Sequence, residues 1–364
     1  MNLRWIQPLL LWACGFCLAD RAGANDRPSS LTVFGDSLSD VGNLSEATGG
    51  AFPGSDYFDG RLSNGLLYAE QLGFDLQPSL VGGSCYAVAN ARTGDSLIGL
   101  PTQLGWFAEA NPGGADPDGL FLVWFGGNDV IDGYEGGDPA AAAAAITAAL
   151  EVLRAGLEDL LAMGAQRIVV LNLPDLSRTP AVLEIGDEAT TSLAQALTLQ
   201  WNAGLAQIVG ELAEPGVELF DVFAWFVEVM ADPAAAGFSD VQSQALLVGG
   251  DADQFLFWDG VHPTAAAHRE LAGRVLALLP DLALGDPVAI RSIERDPSTG
   301  VVSLVFDSRP GWCYAIEVSS DLSGGWRLLR RGFASQGDTS TFSELSQVTR
   351  RFYRVSEVVA PPTG

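Results

Sequence analysis

Leu31-Thr32-Val33-Phe34-Gly35-Asp36-Ser37-Leu38-Ser39-Asp40-Val41-Gly42-Asn43 is the stretch from which the fold is read. Its apolar start, Leu31 to Phe34, has the length and composition of a short buried strand. The run stops at Gly35, and a small hydroxyl residue follows between acidic and apolar neighbours. A strand ending in a glycine turn lifts the next side chain above the sheet edge, at the carboxyl end where open α/β sheets place their sites. Ser37 there can act as a nucleophile if a base reaches it. As an ordinary turn serine it would only satisfy its own backbone. The choice between the two depends on the far end of the chain, Trp258-Asp259-Gly260-Val261-His262-Pro263-Thr264.

Working outward, strand-like and helix-like stretches alternate from Leu31 to about Pro280. Asn64 to Leu72 reads as a helix, and Gly119 to Gly126 as a strand buried on both faces. The Ala-rich run from Pro139 to Met163 reads as a long helix, because alanine is the best helix former. Arg167 to Leu173 and Val217 to Phe223 read as strands and Thr190 to Leu212 as a helix. Pro263 is placed to open a last helix reaching Leu279. This spacing predicts an α/β fold: a doubly wound, mostly parallel sheet flanked by helices. Helical periodicity then vanishes. Val301–Phe306, Trp312–Val318, Trp326–Leu329, Ser340–Phe342 and Arg351–Val355 are short strand candidates separated by turn residues, predicting a second, smaller all-β sandwich domain. The expected division is a signal peptide at 1–24, a catalytic unit at 25–280, a linker at 281–287 and the β-module at 288–364.

The chain has 364 residues, enough for two domains. Its 48% hydrophobic and 9% aromatic content supplies a packed core. With 19 basic against 45 acidic residues the formal net charge is −26, a field that repels polyanions and argues against nucleic acid or anionic lipid as partner. Arg4, the apolar stretch Trp5–Ala19 and the small-x-small triplet Ala22-Gly23-Ala24 have the form of a secretory leader, so the product is expected outside the cytoplasm. No other run reads as a membrane span. Cys14 and Cys17 leave with the leader. Cys85 and Cys313 remain, in different predicted domains, and a bond between them is not the default expectation.

The chemistry follows from scarcity. The whole chain has two histidines, His262 and His268, so serine catalysis near neutral pH must draw its base from that pair. His268 falls inside the last helix beside Arg269 and Glu270 and reads as a surface residue. His262 stands in the preceding loop, three residues after Asp259, a spacing that lets the carboxylate fix one ring nitrogen and leave the other for Ser37. Gly126-Gly127-Asn128-Asp129 closes the second apolar strand, where the Asn128 amide can meet a developing oxyanion, a contribution of roughly two to three orders of magnitude in rate. Gly83, in Gly82-Gly83-Ser84-Cys85-Tyr86-Ala87, is a candidate for a further backbone N–H donor. Two histidines and no cysteine cluster weigh against a catalytic zinc, and no cofactor is implied.

These blocks resemble the GDSL esterase/lipase family of the SGNH hydrolase superfamily. In order they are Gly35-Asp36-Ser37-Leu38-Ser39-Asp40, Gly83, Gly126-x-Asn128-Asp129 and Asp259-x-x-His262-Pro-Thr. Gly60-Arg-Leu-Ser-Asn-Gly65, Ala91-Arg-Thr-Gly94 and Asp232-Pro…Gly237-Phe238 are similar to its plant and bacterial branch. The resemblance implies Ser37 as nucleophile, His262 as base, Asp259 as its orienter, and the Ser37 N–H, Gly83 N–H and Asn128 amide as oxyanion donors. It departs from many relatives in having Ala89-Asn90 where they have Gly-Gly, and in lacking a cysteine pair before the last block. Gly94-Asp95-Ser96-Leu97 repeats the motif letters, but no strand precedes it and Ser96 is read as structural. Tyr314–Leu322 and Arg351–Val355 resemble the fibronectin-like modules that end many exported bacterial proteins, here read as a spacer rather than a carbohydrate-binding surface.

The implied activity is hydrolysis of a small-molecule, lipid or polysaccharide ester through an acyl-enzyme. Transfer of the acyl group to an alcohol, removal of O-acetyl groups from carbohydrate, and non-catalytic surface or glycan binding are the rival readings. Acyl length, alcohol portion and oligomeric state are open.

Overall fold

The apolar runs pair as expected. In a computed structural model, which describes residues 28–279, 284–310, 312–319, 327–346 and 351–358, β1 (Leu31–Gly35), β2 (Leu120–Trp124), β3 (Ile168–Leu171) and β4 (Val217–Phe220) form a parallel sheet in the order β1-β2-β3-β4. The first three strands are buried at every position, which accounts for their continuous hydrophobicity. Residues 84–88 extend the sheet beyond β1. Val33 N–H donates to the Ser84 carbonyl (3.1 Å), and Tyr86 and Val88 N–H donate to Val33 (2.7 Å) and Gly35 (3.1 Å). The expected signal segment, with Cys14 and Cys17, lies outside the described residues.

The helices are α1 (Asn43–Ala47), α2 (Leu100–Ala110), α3 (Gly127–Gly136), α4 (Pro139–Ala162), α5 (Pro180–Ile185), α6 (Glu188–Leu212), α7 (Val222–Ala231), α8 (Ala245–Val248) and α9 (Ala265–Leu278). Caps set their starts: Asp138, Asp187 and Asp221 accept backbone N–H groups of the first turns of α4, α6 and α7. The Asp221 cap is why the strand expected to reach Phe223 stops at Phe220. Thr264 caps α9, so Pro263 precedes that helix instead of occupying its first turn. Helix α4 is long and apolar enough to cross a membrane, contrary to the reading that no such run remained. It packs as a core helix, burying Ile146, Leu150, Leu153, Leu157 and Leu160, while Arg154 pairs with Glu211 of α6.

The helix expected over Asn64–Leu72 shrinks to one 3₁₀ turn, Ala69–Leu72. The segment before it spends its polar groups elsewhere, as described below. A separate parallel pair joins β5 (Asp240–Gln244) to β6 (Phe255–Phe257), just ahead of the last motif block.

The C-terminal residues form two antiparallel sheets. One has the order β11 (Arg327–Ala334), β10 (Cys313–Ser319), β13 (Phe352–Val358), β7 (Leu284–Pro287); the other β12 (Thr339–Leu345), β9 (Val301–Asp307), β8 (Ile290–Arg295). Val302, Leu304 and Phe306 of β9 meet Tyr314, Ile316 and Val355 of the other sheet in a core of their own. The expected linker 281–287 thus contributes an edge strand, β7, paired with β13. Cys85 is a free, buried thiol that donates to the Ser39 carbonyl (3.1 Å).

Candidate active site

Ser37 follows β1 in a tight turn at the carboxyl end of the sheet, and Gly35 makes that turn possible: a Cβ there would lie 2.7 Å from the Trp124 carbonyl oxygen. Gln103 of α2 clamps the strand end, its Oε1 accepting the Gly35 N–H (3.0 Å) while its Nε2 donates to the Gly35 carbonyl (2.8 Å). Further along the motif, the buried Asp40 carboxylate accepts the N–H groups of Gly42, Asn43, Leu44 and Ala89. The Asn43 amide donates to the Cys85 and Ala87 carbonyls. Asp40 and Asn43 therefore hold the 84–89 edge beside the serine turn.

The loop after β6 carries His262 and Asp259. His262 Nε2 lies 2.9 Å from Ser37 Oγ, and His262 Nδ1 lies 2.7 Å from Asp259 Oδ2. With Nδ1–H donating to the carboxylate, Nε2 is left to accept the hydroxyl hydrogen. Asp259 Oδ1 also accepts the Val261 and His262 N–H groups, at 2.9 and 2.8 Å. Burial pushes the Asp259 carboxyl upward, but the His262 ring and these N–H donors outweigh it and bring its pKa down to about 2. A further donor reaches it from a distant loop: Tyr57 Oη–H to Asp259 Oδ2, 2.7 Å. The polar groups that a 64–72 helix would have left idle clamp this same loop. Ser63 Oγ donates to the Pro263 carbonyl (2.9 Å) and Asn64 Oδ1 accepts the Ala265 N–H (2.7 Å).

Of the three oxyanion candidates, two lie at the carboxyl end of the sheet, after the neighbouring strands β1 and β2. The Ser37 N–H donates to no described residue. Asn128, in the first turn of α3, gives one amide hydrogen to the Ala91 carbonyl (2.9 Å) and keeps its second free. Gly83 does not reach the site. It lies beside Ser30 and Thr32 at the opposite, amino end of β1, and its N–H donates to the Pro78 carbonyl (2.9 Å). It is glycine because a Cβ would sit 2.1 Å from the Gln77 carbonyl oxygen. The segment that does reach the serine turn ends at Ala89-Asn90. Asn90 has φ 71°, a left-handed conformation that asparagine tolerates better than most residues. Its carbonyl accepts from Arg92 (2.7 Å), whose guanidinium grips Asp132 of α3.

Residues 31–275 match the GDSL-like Lipase/Acylhydrolase family along two thirds of the chain. The chain belongs to that family. Among curated relatives, a phosphatidylcholine-sterol acyltransferase of Aeromonas hydrophila is 28% identical over 234 residues, 60% of this chain and 67% of that protein. A thermolabile hemolysin of Vibrio parahaemolyticus is 26% identical over 289 residues, 72% and 67%. Among solved structures, an acetylxylan esterase of Geobacillus stearothermophilus overlaps 69% of this chain and 94% of its own with TM-score 0.41 and 19% identity, a likeness too weak to bear on substrate. The GDSL chain is thereby a carboxylic ester hydrolase.

Three more residues of this GDSL enzyme need placing. Asp36 is buried behind the serine turn. Burial raises its pKa to about 7, against the lowering effect of the Leu38 N–H and of His262. His268, expected on the surface, is 1% exposed and stacks on Tyr68 with ring centroids 6.4 Å apart. It shares the buried face of α9 with Leu271 and Val275, a helical spacing that the flanking Arg269 and Glu270 conceal. Ser96 lies exposed in the loop before α2 and follows no strand directly. Among the residues that sequence reasoning missed, Ser63 and Asn64 sit inside a block already singled out, while Tyr57 and Gln103 carry no local signal.

Proposed function

We propose that the protein is a secreted serine esterase working through an acyl-enzyme, with Ser37 as nucleophile, His262 as general base and acid, and Asp259 as its orienter. The observation that carries this is the 2.9 Å contact between His262 Nε2 and Ser37 Oγ, with Asp259 on the opposite ring nitrogen. Ser37 Oγ attacks the ester carbonyl as His262 takes its proton. The oxyanion is met by the Ser37 N–H, the free hydrogen of the Asn128 amide and the Asn90 N–H, which replaces Gly83 in that role and has no acceptor among the described residues. His262 then protonates the departing alcohol, and water repeats the cycle on the acyl-enzyme. Secretion rests on the leader pattern of residues 1–24, and the β-module is a fibronectin-like spacer, since none of its described residues contributes to the site.

Ser37→Ala is expected to abolish turnover of a chromogenic short-chain ester by about 10⁴-fold or more, and Ser96→Ala to leave it nearly intact. The reverse pattern overturns the assignment. A second reading is favoured by the relative named an acyltransferase: the acyl group is passed to an alcohol in place of water. Turnover in the presence of a competing alcohol, with the new ester quantified against free acid, separates the two.

A further inference from the structure

At the amino end of β1, the end opposite Ser37, lies an open cleft of about 770 Å³, within the roughly 300–1,000 Å³ of small-ligand sites. Its floor is aromatic. Tyr86, Phe107 and Phe121 are all buried, and Phe107 meets the other two edge-on with ring centroids 5.7 and 5.9 Å away, so the floor is rigid before anything binds. Trp106, next to Phe107 on α2, also lines the cleft and is only partly buried. The segment from Asp75 to Ser84 forms another wall, and its course is fixed. Cys85 N–H donates to the Gln77 carbonyl (3.0 Å), and Leu80 N–H donates to Asn43 Oδ1 (3.1 Å). Gly83 belongs to this wall.

The polar groups decide what fits. The described lining carries no lysine, arginine or histidine, so no cation there answers a phosphate, sulfate or uronate, and a net charge of −26 opposes them as well. Asn111 gives its amide hydrogens to the Phe107 carbonyl (2.9 Å) and to Tyr86 Oη (3.4 Å), and keeps Oδ1 as an acceptor. Gln77 Nε2 donates to Asp75 Oδ1 (3.0 Å), which leaves Gln77 Oε1 and Asp75 Oδ2 to accept. Asp116 is already supplied by Ser29, Ser30 and the Asp118 N–H. Burial pushes the Tyr86 pKa upward, so the phenol keeps its own hydrogen to give. Three acceptors and one donor around an aromatic floor suit a ligand rich in hydroxyl hydrogens that also has a C–H face to lay on a ring. A pyranose has both. A hydrocarbon chain would cover the same acceptors without partnering them.

We propose that this cleft is a non-catalytic binding site for a neutral glycan, seated on Trp106 and hydrogen-bonded by Asn111, Gln77 and Asp75. It retains a polymer at one end of the sheet while Ser37 stands at the other. The test is electrophoresis of the full folded chain through gels holding soluble xylan, galactomannan or mixed-linkage β-glucan, with the Tm shift given by spermidine measured in parallel. At least one glycan is expected to retard the protein. Trp106→Ala weakens that binding about ten-fold or more, and its kcat/KM on an aryl acetate stays within about two-fold of the unmodified protein. Should Trp106→Ala fail to fold, Gln77→Ala answers in its place, because that exposed side chain bonds only Asp75 among the described residues. Ser37→Ala is retarded like the unmodified protein, so loss of ester turnover with retardation intact overturns the esterase and spares the cleft. Retardation by no glycan, or retardation that both cleft variants leave unchanged, overturns the cleft and spares the esterase. A spermidine-induced Tm rise that Trp106→Ala abolishes, without glycan retardation, assigns the cleft to a cation and overturns the proposal too.

Discussion

At the scale of single residues, Tyr57 shows how a side chain with no motif around it can set the behaviour of the site. Its phenol shares Asp259 Oδ2 with His262 Nδ1. Burial and then the carboxylate push its own pKa upward, so it remains a donor at any working pH. Tyr57→Phe removes one donor from Asp259 and leaves the carboxylate less firmly placed against His262 Nδ1. The expected result is a fall in kcat/KM of about ten-fold, carried by kcat with KM little changed. A merely structural loss would appear as a smaller folded fraction by circular dichroism and leave kcat per folded molecule in place. The site was legible where chemistry restricted the choice: with two histidines in the chain, Asp259-x-x-His262 was the candidate partner of Ser37, and that ring lies 2.9 Å from Ser37 Oγ. Gly83 was misread because a glycine's letters do not tell a donor at the catalytic rim from a close approach to Gln77 at the other end of the strand. Asn90 was the more informative signal, a non-glycine residue occupying a glycine's conformation.

At the scale of elements, the junction of β2 with α3 carries a double constraint. Gly126 has φ 108°, and a Cβ there would lie 2.2 Å from the Trp201 ring. Gly126→Ala meets both penalties at once, strain in the backbone and a collision with a fully buried indole. Expected is a loss of about 3 kcal/mol or more of stability, measured by denaturant unfolding. Surviving folded protein should also lose activity, because Asn128 moves with the start of α3. Strands were easy to read since burial on both faces leaves uninterrupted apolar runs, as at Leu120–Trp124. The 64–72 segment defeated the same reasoning. Its composition permits a helix, but Ser63 and Asn64 bond to the chain around Pro263, and such distant partners leave no local trace. His268 was lost for a related reason, since a buried polar ring paired with Tyr68 looks, from its neighbours alone, like a solvated one.

At the scale of the whole molecule, the α/β unit and the β-module keep separate cores, and β11 lies against the turn at Ala69–Leu72. A chain ended after residue 279 is expected to retain kcat/KM on small esters within about three-fold, while its Tm falls because that flank is uncovered. Loss of all turnover in a truncated protein that still folds by circular dichroism would show the module to be part of the enzyme. The parallel sheet also has a temporal consequence. Ser37 is separated by 225 positions from the imidazole beside it, and the loop that carries that ring is braced by Tyr57, Ser63 and Asn64. During synthesis the hydroxyl therefore emerges long before the imidazole. On the proposed esterase reading an incomplete chain lacks its base, and full ester turnover begins only once the sheet has closed.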